Sequence, residues 1–192
     1  MTNISRPCCI RDLCRLELHG DLPEFLFFWG HQQRRNGSIG TACMSQWWPA
    51  PFTVDELTYR TAEHFMMVSK ARLFGDESAA SRILAAESPR EAKALGRAVR
   101  GFDEEVWKAS RYRVVVDGNT AKFAQNPELL LYLTSTTGRV LVEASPEDQI
   151  WGIGLAADNN RSRRPSQWRG LNLLGFALMD VREKLTSARQ AY

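Results

Sequence analysis

The spacing of apolar residues changes at Thr61, and this change constrains the fold more than any other feature of the sequence. From there the apolar residues recur with helical spacing, beginning with a stripe of Ala62, Phe65 and Met66 that continues to Leu73. Residues three and four apart share one face of a helix, and Thr61 is a suitable N-cap. The pattern therefore predicts a helix that starts at Thr61 and packs one face on the core.

Most of the remaining chain also has helical patterns, interrupted by short apolar runs. The patterns predict helices at 77–87, 89–99, 127–134 and 171–185, strands at 25–29 and 140–144, and a strand pair over 52–59 that turns at Asp55 and Glu56. Another helix opens at Phe102 and Asp103 and continues toward Gln125, although residues 114–118 fit a strand and turn almost as well. Together they predict an α+β, mostly helical single domain with a few short strands.

Residues 1–23 have no comparable pattern and are interpreted as a poorly specified N-terminal leader to a domain at 24–188. The leader lacks the apolar region of a signal peptide, and no apolar stretch approaches the roughly 20 residues of a membrane span. We therefore expect a cytoplasmic protein that does not bind membranes. Cys8, Cys9 and Cys14 lack the paired Cys-x-x-Cys spacing of zinc sites, so free thiols and no metal are predicted.

The charge balance is a weak indication of nucleic-acid binding. The 192 residues include 25 basic and 22 acidic side chains, for a net charge of +3, and the basic ones are scattered. The exception is a short basic run at 161–164, which could contact phosphates but is more typical of a solvated loop. The oligomeric state is not predictable from these features.

A second stripe on the helix after Thr61 carries chemistry-bearing side chains. Glu63, Met67, Lys70 and Phe74 follow the spacing i, i+4, i+7 and i+11. Glu63 and Lys70 would lie two turns apart, about 10 Å along the axis and offset by about 20°. Both side chains could reach one ligand along that face, or the stripe could be an ordinary solvated surface.

The later segments are open to a structural and a functional interpretation. Ser145 and Asp148 fit a helix start with a capping box, yet Trp151 beside Gly152 also places an aromatic face next to backbone that a ligand can approach. Asn172 suits either an N-cap or a helix N-terminus that binds phosphate or sugar oxygens. Likewise Arg97 could pair with a phosphate or form a surface salt bridge, and Trp107 taken alone suits the core. Motifs of serine hydrolases, P-loops and zinc deaminases are absent from the sequence.

The order of these motifs resembles the NADAR domain (YbiA-like) family over about residues 24–186. The motifs that carry the resemblance are Phe28-Trp-Gly, Ser45-Gln-Trp-Trp-Pro, Ala62-Glu-His-Phe-Met-Met, Lys70-Ala-Arg, Leu95-Gly-Arg, Phe102-Asp-Glu-Glu-Val-Trp, Lys122-Phe-Ala-Gln-Asn, Leu141-Val-Glu-Ala-Ser-Pro-Glu-Asp, Trp151-Gly and Gly170-Leu-Asn-Leu-Leu-Gly. The chain departs from the pattern at Ile153, where some relatives carry an acid, and in a longer polar segment at 156–167.

The resemblance implies an N-glycosidase that acts on phosphoribosylamino-pyrimidine intermediates of riboflavin synthesis. It also leaves open an ADP-ribosyl glycohydrolase that removes ADP-ribose from guanine in nucleic acid, or a non-catalytic module that binds ADP-ribose or a nucleotide. The implied catalytic residues are Glu63, Lys70 and Asp148, and the implied substrate-binding residues are Trp29, Gly30, Arg97, Trp107, Trp151, Gly152 and Asn172. No metal or cofactor is expected.

The residue types agree with that chemistry. Cleavage of a C–N glycosidic bond passes through an oxocarbenium-like state, which needs a nearby carboxylate and a proton for the departing nitrogen. Glu63 would stabilise the charge or activate water, with Asp148 as the second carboxylate. Because an opened ribosylamine exposes an aldehyde carbon, Lys70 could alternatively form a Schiff base. The sequence does not decide which group is acid and which is base.

Overall fold

The structure, a computed structural model, describes residues 6–34 and 36–190. These residues form seven α-helices, four short strands and two 3-10 turns. In chain order they are α1 (Ile10–His19), β1 (Phe25–Phe28), a 3-10 turn (Thr41–Met44), β2 (Phe52–Val54), β3 (Leu57–Tyr59), α2 (Ala62–Leu73), α3 (Glu77–Ala85), α4 (Pro89–Arg97), α5 (Glu104–Gln125), α6 (Pro127–Thr134), β4 (Val140–Glu143), a second 3-10 turn (Pro165–Gln167) and α7 (Leu173–Gln190). The predicted α+β, mostly helical class is confirmed.

The helix α2 lies at the centre of the domain. Nine of its 12 residues are buried, because it packs against α3, α4 and α5. The Thr61 side chain caps the helix by accepting a hydrogen bond from the His64 N–H, as the sequence predicts. Glu63, Met67 and Lys70 are among the buried residues, so the second stripe is not the solvated surface that the sequence left open.

Two parallel strands place distant segments side by side. β1 pairs with β4 in a register that puts Phe25 opposite Val140 and Phe28 opposite Glu143. A parallel pair needs a long crossover connection, which here contains α2 to α6. Both strands therefore end at the same edge, where Trp29 and Gly30 follow β1 and residues 144–151 follow β4.

The predicted strand pair at 52–59 is confirmed as an antiparallel hairpin. Phe52 pairs with Tyr59 and Val54 with Leu57, and the turn residues Asp55 and Glu56 both have positive φ, 48° and 64°. Two positive φ values are what a tight hairpin turn requires.

Two local predictions differ from the structure. The proposed leader contains α1, which buries Leu13 and Leu16 and lies against the turn at Pro165–Gln167. The strand alternative for 114–118 is wrong, because α5 is continuous there. Gly118 lets α5 approach α2 so closely that a Cβ atom would lie 2.5 Å from the Phe65 ring. Helix packing therefore overrides the β-branched run.

Among the described residues, no helix is both long and apolar enough to span a bilayer. The cysteines that the structure describes are free thiols, and those of Cys8 and Cys9 lie 3.2 and 3.4 Å from Asp12 Oδ2.

Gly175 is required by the packing of α7 on β4. A Cβ atom at this position would lie 2.1 Å from the Leu141 carbonyl oxygen and 2.6 Å from the Asn172 amide group. The Leu141 backbone is held in β4 and cannot move away without disturbing the strand. We therefore expect Gly175→Ala to destabilise the protein by about 2 kcal/mol or more, despite the better helix propensity of alanine. Urea unfolding measures the change, and Ser187→Ala on an exposed turn of α7 is the control. Equal stability of the two variants would contradict this packing.

Candidate active site

A large cavity opens at the carboxyl ends of β1 and β4. Its volume is about 1160 Å³, and its walls come from the residues after both strands and from α2, α4 and α5. The lining includes five carboxyl groups, five lysine or arginine side chains and several aromatic rings. Those that bear on the chemistry are Trp29, Gly30, Gln46, Trp47, Glu63, Met67, Lys70, Arg90, Lys93, Arg97, Phe102, Trp107, Arg111, Glu143, Asp148 and Trp151.

The fold brings eight of the ten sequence-predicted site residues to this cavity. They are Trp29, Gly30, Glu63, Lys70, Arg97, Trp107, Asp148 and Trp151. Trp29 is 61 % exposed and stands at the rim, whereas Trp107 is 8 % exposed and forms part of the wall. Gly152 and Asn172 do not line the cavity.

The Asn172 side chain forms hydrogen bonds with the backbone of β4 and does not face the cavity. Its Oδ1 accepts a hydrogen bond from the Glu143 N–H (2.9 Å), and its Nδ2 donates to the Leu141 carbonyl (3.0 Å). The residue is fully buried with φ 53°, in the left-handed region. The structure therefore places Asn172 outside the cavity lining, and its contact with substrate stays a prediction. Its side chain instead fixes the end of β4, from which Glu143 enters the cavity.

Gly152 has a similar supporting role. A Cβ atom there would lie 2.9 Å from the Glu143 carbonyl oxygen and 3.0 Å from that of Asp148. The glycine lets the segment after β4 fold back on itself. The close approach that the structure shows at this residue is to protein backbone, and its contact with substrate stays a prediction.

Asp148 sits in a tight turn, and the helix start proposed for residues 145–148 is wrong. Ser145 Oγ accepts a hydrogen bond from the Asp148 N–H (3.2 Å), as in a cap, but no helix follows. Instead Asp148 Oδ1 accepts from the N–H groups of Ile150 (2.8 Å) and Trp151 (2.7 Å). This arrangement fixes the carboxyl group and the Trp151 ring relative to each other.

Glu63 is a buried acid at the start of α2. It is 3 % exposed, and its Oε1 has no hydrogen-bond partner among the described residues. Burial raises the pKa of the Glu63 carboxyl to about 7, against the opposing influence of Lys93, Trp47 and Arg97, while Asp148 adds to the increase. A carboxyl group of this kind can exchange a proton at neutral pH.

Lys70 presents its amine two turns further along α2. Its Nζ donates to the Gly96 carbonyl (2.9 Å) and lies 4.1 Å from the centre of the Phe102 ring and 5.8 Å from that of Trp107. Burial lowers the pKa of the amine, and the charge of Glu104 opposes the change. A lysine in such surroundings is more readily deprotonated and hence more nucleophilic.

Glu143 is a functional candidate that the sequence reasoning missed. It ends β4 and lines the cavity, and its buried Oε2 has no hydrogen-bond partner among the described residues. Burial raises the pKa of its carboxyl to about 8, with further increases from Asp148 and Glu63 and a decrease from Lys93. The sequence feature that could have identified Glu143 is its position as an acid at the end of an otherwise apolar strand.

Four basic side chains besides Lys70 line the cavity, and the sequence analysis named only Arg97 among them. Arg90, Lys93 and Arg97 all line the cavity from α4, and their spacing i, i+3 and i+7 gives one stripe of a helix. Arg111, which is 7 % exposed, faces the cavity from α5. Within the described residues none of these four side chains forms an ion pair, so all are available to an anionic ligand.

A buried polar network supports the wall that carries Trp47. Lys122, fully buried on α5, donates to the carbonyls of Cys43 (2.7 Å) and Ser45 (2.8 Å). Asn119 donates to Gln46 Oε1 (2.7 Å), and the Gln46 carbonyl accepts from the Glu63 N–H (2.9 Å). The segment before the hairpin is thereby tied to both α5 and α2.

The two raised carboxyl pKa values predict how stability depends on pH. The folded protein keeps a proton on Glu63 up to about pH 7, whereas the unfolded chain loses it near 4.5. Folding therefore becomes less favourable as pH rises from 5 to 7, and Glu143 contributes with the same sign. We expect Glu63→Gln to gain stability relative to the wild type over this interval, by roughly 3 kcal/mol at most.

Urea titrations of both proteins at pH 5, 6 and 7 measure this difference. His64 and Lys122 also have altered pKa values, but they are present in both proteins and cancel in the comparison. A stability difference that stays constant with pH would show that Glu63 is already ionised in the folded protein at pH 5.

A cavity of this kind, with acids, cations and aromatic rings on one α+β domain, is typical of proteins with a small-molecule site. The chain belongs to the NADAR domain family, whose model matches residues 27–186. The predicted family resemblance is therefore confirmed.

Three relatives illustrate the likeness. N-glycosidase R617 of Acanthamoeba polyphaga mimivirus is 38% identical over 166 residues, which cover 84% of this chain and 96% of that protein. N-glycosidase YbiA of Escherichia coli is 32% identical over 135 residues, covering 70% of this chain and 76% of YbiA. The NMR structure of the E. coli protein YbiA matches with a TM-score of 0.70 and 26% identity, covering 88% of this chain and 89% of that one.

The riboflavin biosynthesis protein PYRR of Zea mays is 35% identical over 140 residues. The match covers 68% of this chain but only 20% of that longer protein. The predicted enzyme class, an N-glycosyl hydrolase, is confirmed at the level of the family by the relatives named N-glycosidases.

Proposed function

We propose that this protein hydrolyses the C–N glycosidic bond of phosphoribosylamino-pyrimidines, the intermediates of riboflavin synthesis. The observation that carries the proposal is the convergence of Glu63, Lys70 and Asp148 on one cavity beside aromatic and cationic walls. The similarity to a riboflavin biosynthesis protein supports the choice of substrate.

The cavity offers a place for each part of such a substrate. The half-buried Trp151, whose backbone is held by Asp148, would stack on the pyrimidine. Trp107 is less suited to stacking, because it is buried. The 5-phosphate would pair with Arg97, with Lys93 on the same face of α4. The anomeric carbon would then lie between Glu63 and Lys70.

Two routes for the reaction use the same residues. In one, Glu63 activates a water molecule that attacks the anomeric carbon while Asp148 stabilises its positive charge. In the other, Lys70 attacks the opened sugar and water later hydrolyses the imine. Both routes release an amine, which must receive a proton.

A second substrate, ADP-ribose attached to guanine in nucleic acid, is favoured by the size of the cavity and by Arg111. A volume of about 1160 Å³ exceeds what one base and one ribose phosphate fill, and Arg111 places a further cation on a different helix from Arg97. A pyrophosphate could bridge the two arginines. Residues 161–164 do not line the cavity, so this second substrate does not depend on them.

Turnover assays on the two substrates distinguish these proposals. Purified protein is incubated with freshly made phosphoribosylamino-pyrimidine and, separately, with ADP-ribosylated DNA. Release of ribose 5-phosphate supports the first proposal, and release of ADP-ribose supports the second. Tight binding of ADP-ribose without release from either substrate would identify a binding module and contradict both.

The role of Arg97 can be tested with a matched pair of substrates. We expect Arg97→Gln to raise KM for the phosphorylated ribosylamine by about tenfold or more, because one charge-assisted contact contributes roughly 1.5–3 kcal/mol. The variant should leave KM for the dephosphorylated substrate nearly unchanged. Equal changes for both substrates would place the phosphate elsewhere.

A further inference from the structure

The carboxyl groups of Glu63 and Glu143 share an uncommon feature. Glu63 Oε1 and Glu143 Oε2 are both shielded from solvent, and neither has a hydrogen-bond partner among the described residues. Buried polar atoms without a partner are rare, since leaving one unpaired costs about 1–3 kcal/mol. Both side chains line the same cavity, so a ligand can supply the missing partners.

Burial is the main reason why Glu143 holds a proton. The charged groups that also act on it are Asp148, Lys93 and Glu63, which come from the turn after β4, from α4 and from α2. Two of these three are acids, and like charges close together disfavour a second ionisation. The pKa of Glu143 is raised to about 8, so this carboxyl holds a proton at neutral pH.

Asp148 is held by the backbone of its own turn. Its Oδ1 accepts hydrogen bonds from two backbone N–H groups, so this carboxyl group has a fixed position beside the cavity. Glu143 is instead aimed into the cavity from the end of β4. Its backbone N–H is held by Asn172 Oδ1, so its position is fixed by the core.

We propose that Glu143 is a catalytic general acid, which donates its proton to the nitrogen that leaves the sugar while Glu63 acts as the paired base. This role rests on the N-glycosidase function proposed above. In both routes the leaving amine needs a proton, and Glu143 would supply it.

Glu143, Glu63 and one water molecule account for every proton and electron pair of the reaction. The Glu143 carboxyl transfers its proton to the glycosidic nitrogen, and the electron pair of the C–N bond leaves with that nitrogen. Water adds its oxygen to the anomeric carbon and gives its proton to the Glu63 carboxylate. Transfer of that proton from Glu63 to Glu143 restores the starting state.

The test compares substrates whose leaving groups differ in their need for a proton. Glu143→Gln is expected to lower kcat for the ribosylaminopyrimidine by about 10²–10⁴-fold. For 4-nitrophenyl riboside 5-phosphate, whose nitrophenolate leaves without protonation, the loss should stay below about tenfold. Glu143→Asp keeps the acid and should recover part of the activity, and Glu128→Gln on the exposed face of α6 is the control.

The pH profile is a second measurement. In the wild type kcat/KM should fall above about pH 8 as Glu143 loses its proton, and this alkaline fall should be missing in Glu143→Gln. Equal losses on both substrates, or an unchanged alkaline fall, would overturn the assignment even if the variant remains folded by circular dichroism. Failure of the wild-type protein to cleave the ribosylaminopyrimidine while it still cleaves the nitrophenyl substrate would overturn only the proposed substrate.

Discussion

Glu63→Gln is expected to lose at least about 10³-fold in turnover while its fold stays intact, a loss within the range that general acid–base catalysis contributes. Glutamine has nearly the same shape as glutamate but can neither accept the proton of water nor carry a negative charge beside the anomeric carbon. Because Glu63 is 3 % exposed, the substitution also removes a carboxyl group that is costly to ionise. The variant should therefore be at least as stable as the wild type at pH 7.

Steady-state turnover and thermal unfolding, measured on the same preparation, test both parts of this expectation. Glu128→Gln controls for the loss of one acid from an exposed helix position. Near-normal turnover in Glu63→Gln would rule out its proposed role, whereas an unfolded variant would contradict the view that the carboxyl group serves catalysis at a cost in stability.

Lys70→Met is expected to lower turnover by about 10²-fold or more, and Lys70→Arg separates the two explanations for such a loss. Arginine keeps a positive charge near Phe102 and Trp107 but cannot form a Schiff base. If Lys70 acts only through its charge, Lys70→Arg should retain much of the activity; if it acts as a nucleophile, both variants should be equally impaired.

Reductive trapping gives a direct readout for Lys70. Incubation with ribose 5-phosphate and cyanoborohydride should add a sugar phosphate to Lys70 of the wild-type protein, detectable as a mass increase of the peptide that contains it, and should leave that peptide of Lys70→Met unlabelled. Peptide mapping locates the modified lysine, because exposed amines such as that of Lys108 also react slowly. Labelling of Lys108 without Lys70 would exclude the imine route and leave direct attack by water.

Most helices and strands were predictable because their signals are local. The cap at Thr61, the Ser88-Pro89 start of α4 and the turn at Asp55 and Glu56 are each set by a few neighbouring residues. The same reliance on local signals produced the errors. The Asp148 N–H donates a hydrogen bond to Ser145 Oγ, as in a helix cap, yet Gly152 turns the chain back against Glu143 before a helix can form.

The sequence by itself determined the mostly helical α+β class and eight of the residues around the cavity. Only the tertiary structure decided that Glu143 belongs to the cavity and that Asn172 and Gly152 lie behind its wall. The reason is that β1 and β4 pair across more than 100 residues, so neither strand predicts what lies beside it. The raised pKa values of Glu63 and Glu143 were not predictable from the sequence for a related reason. They depend on how far the rest of the chain encloses α2 and β4.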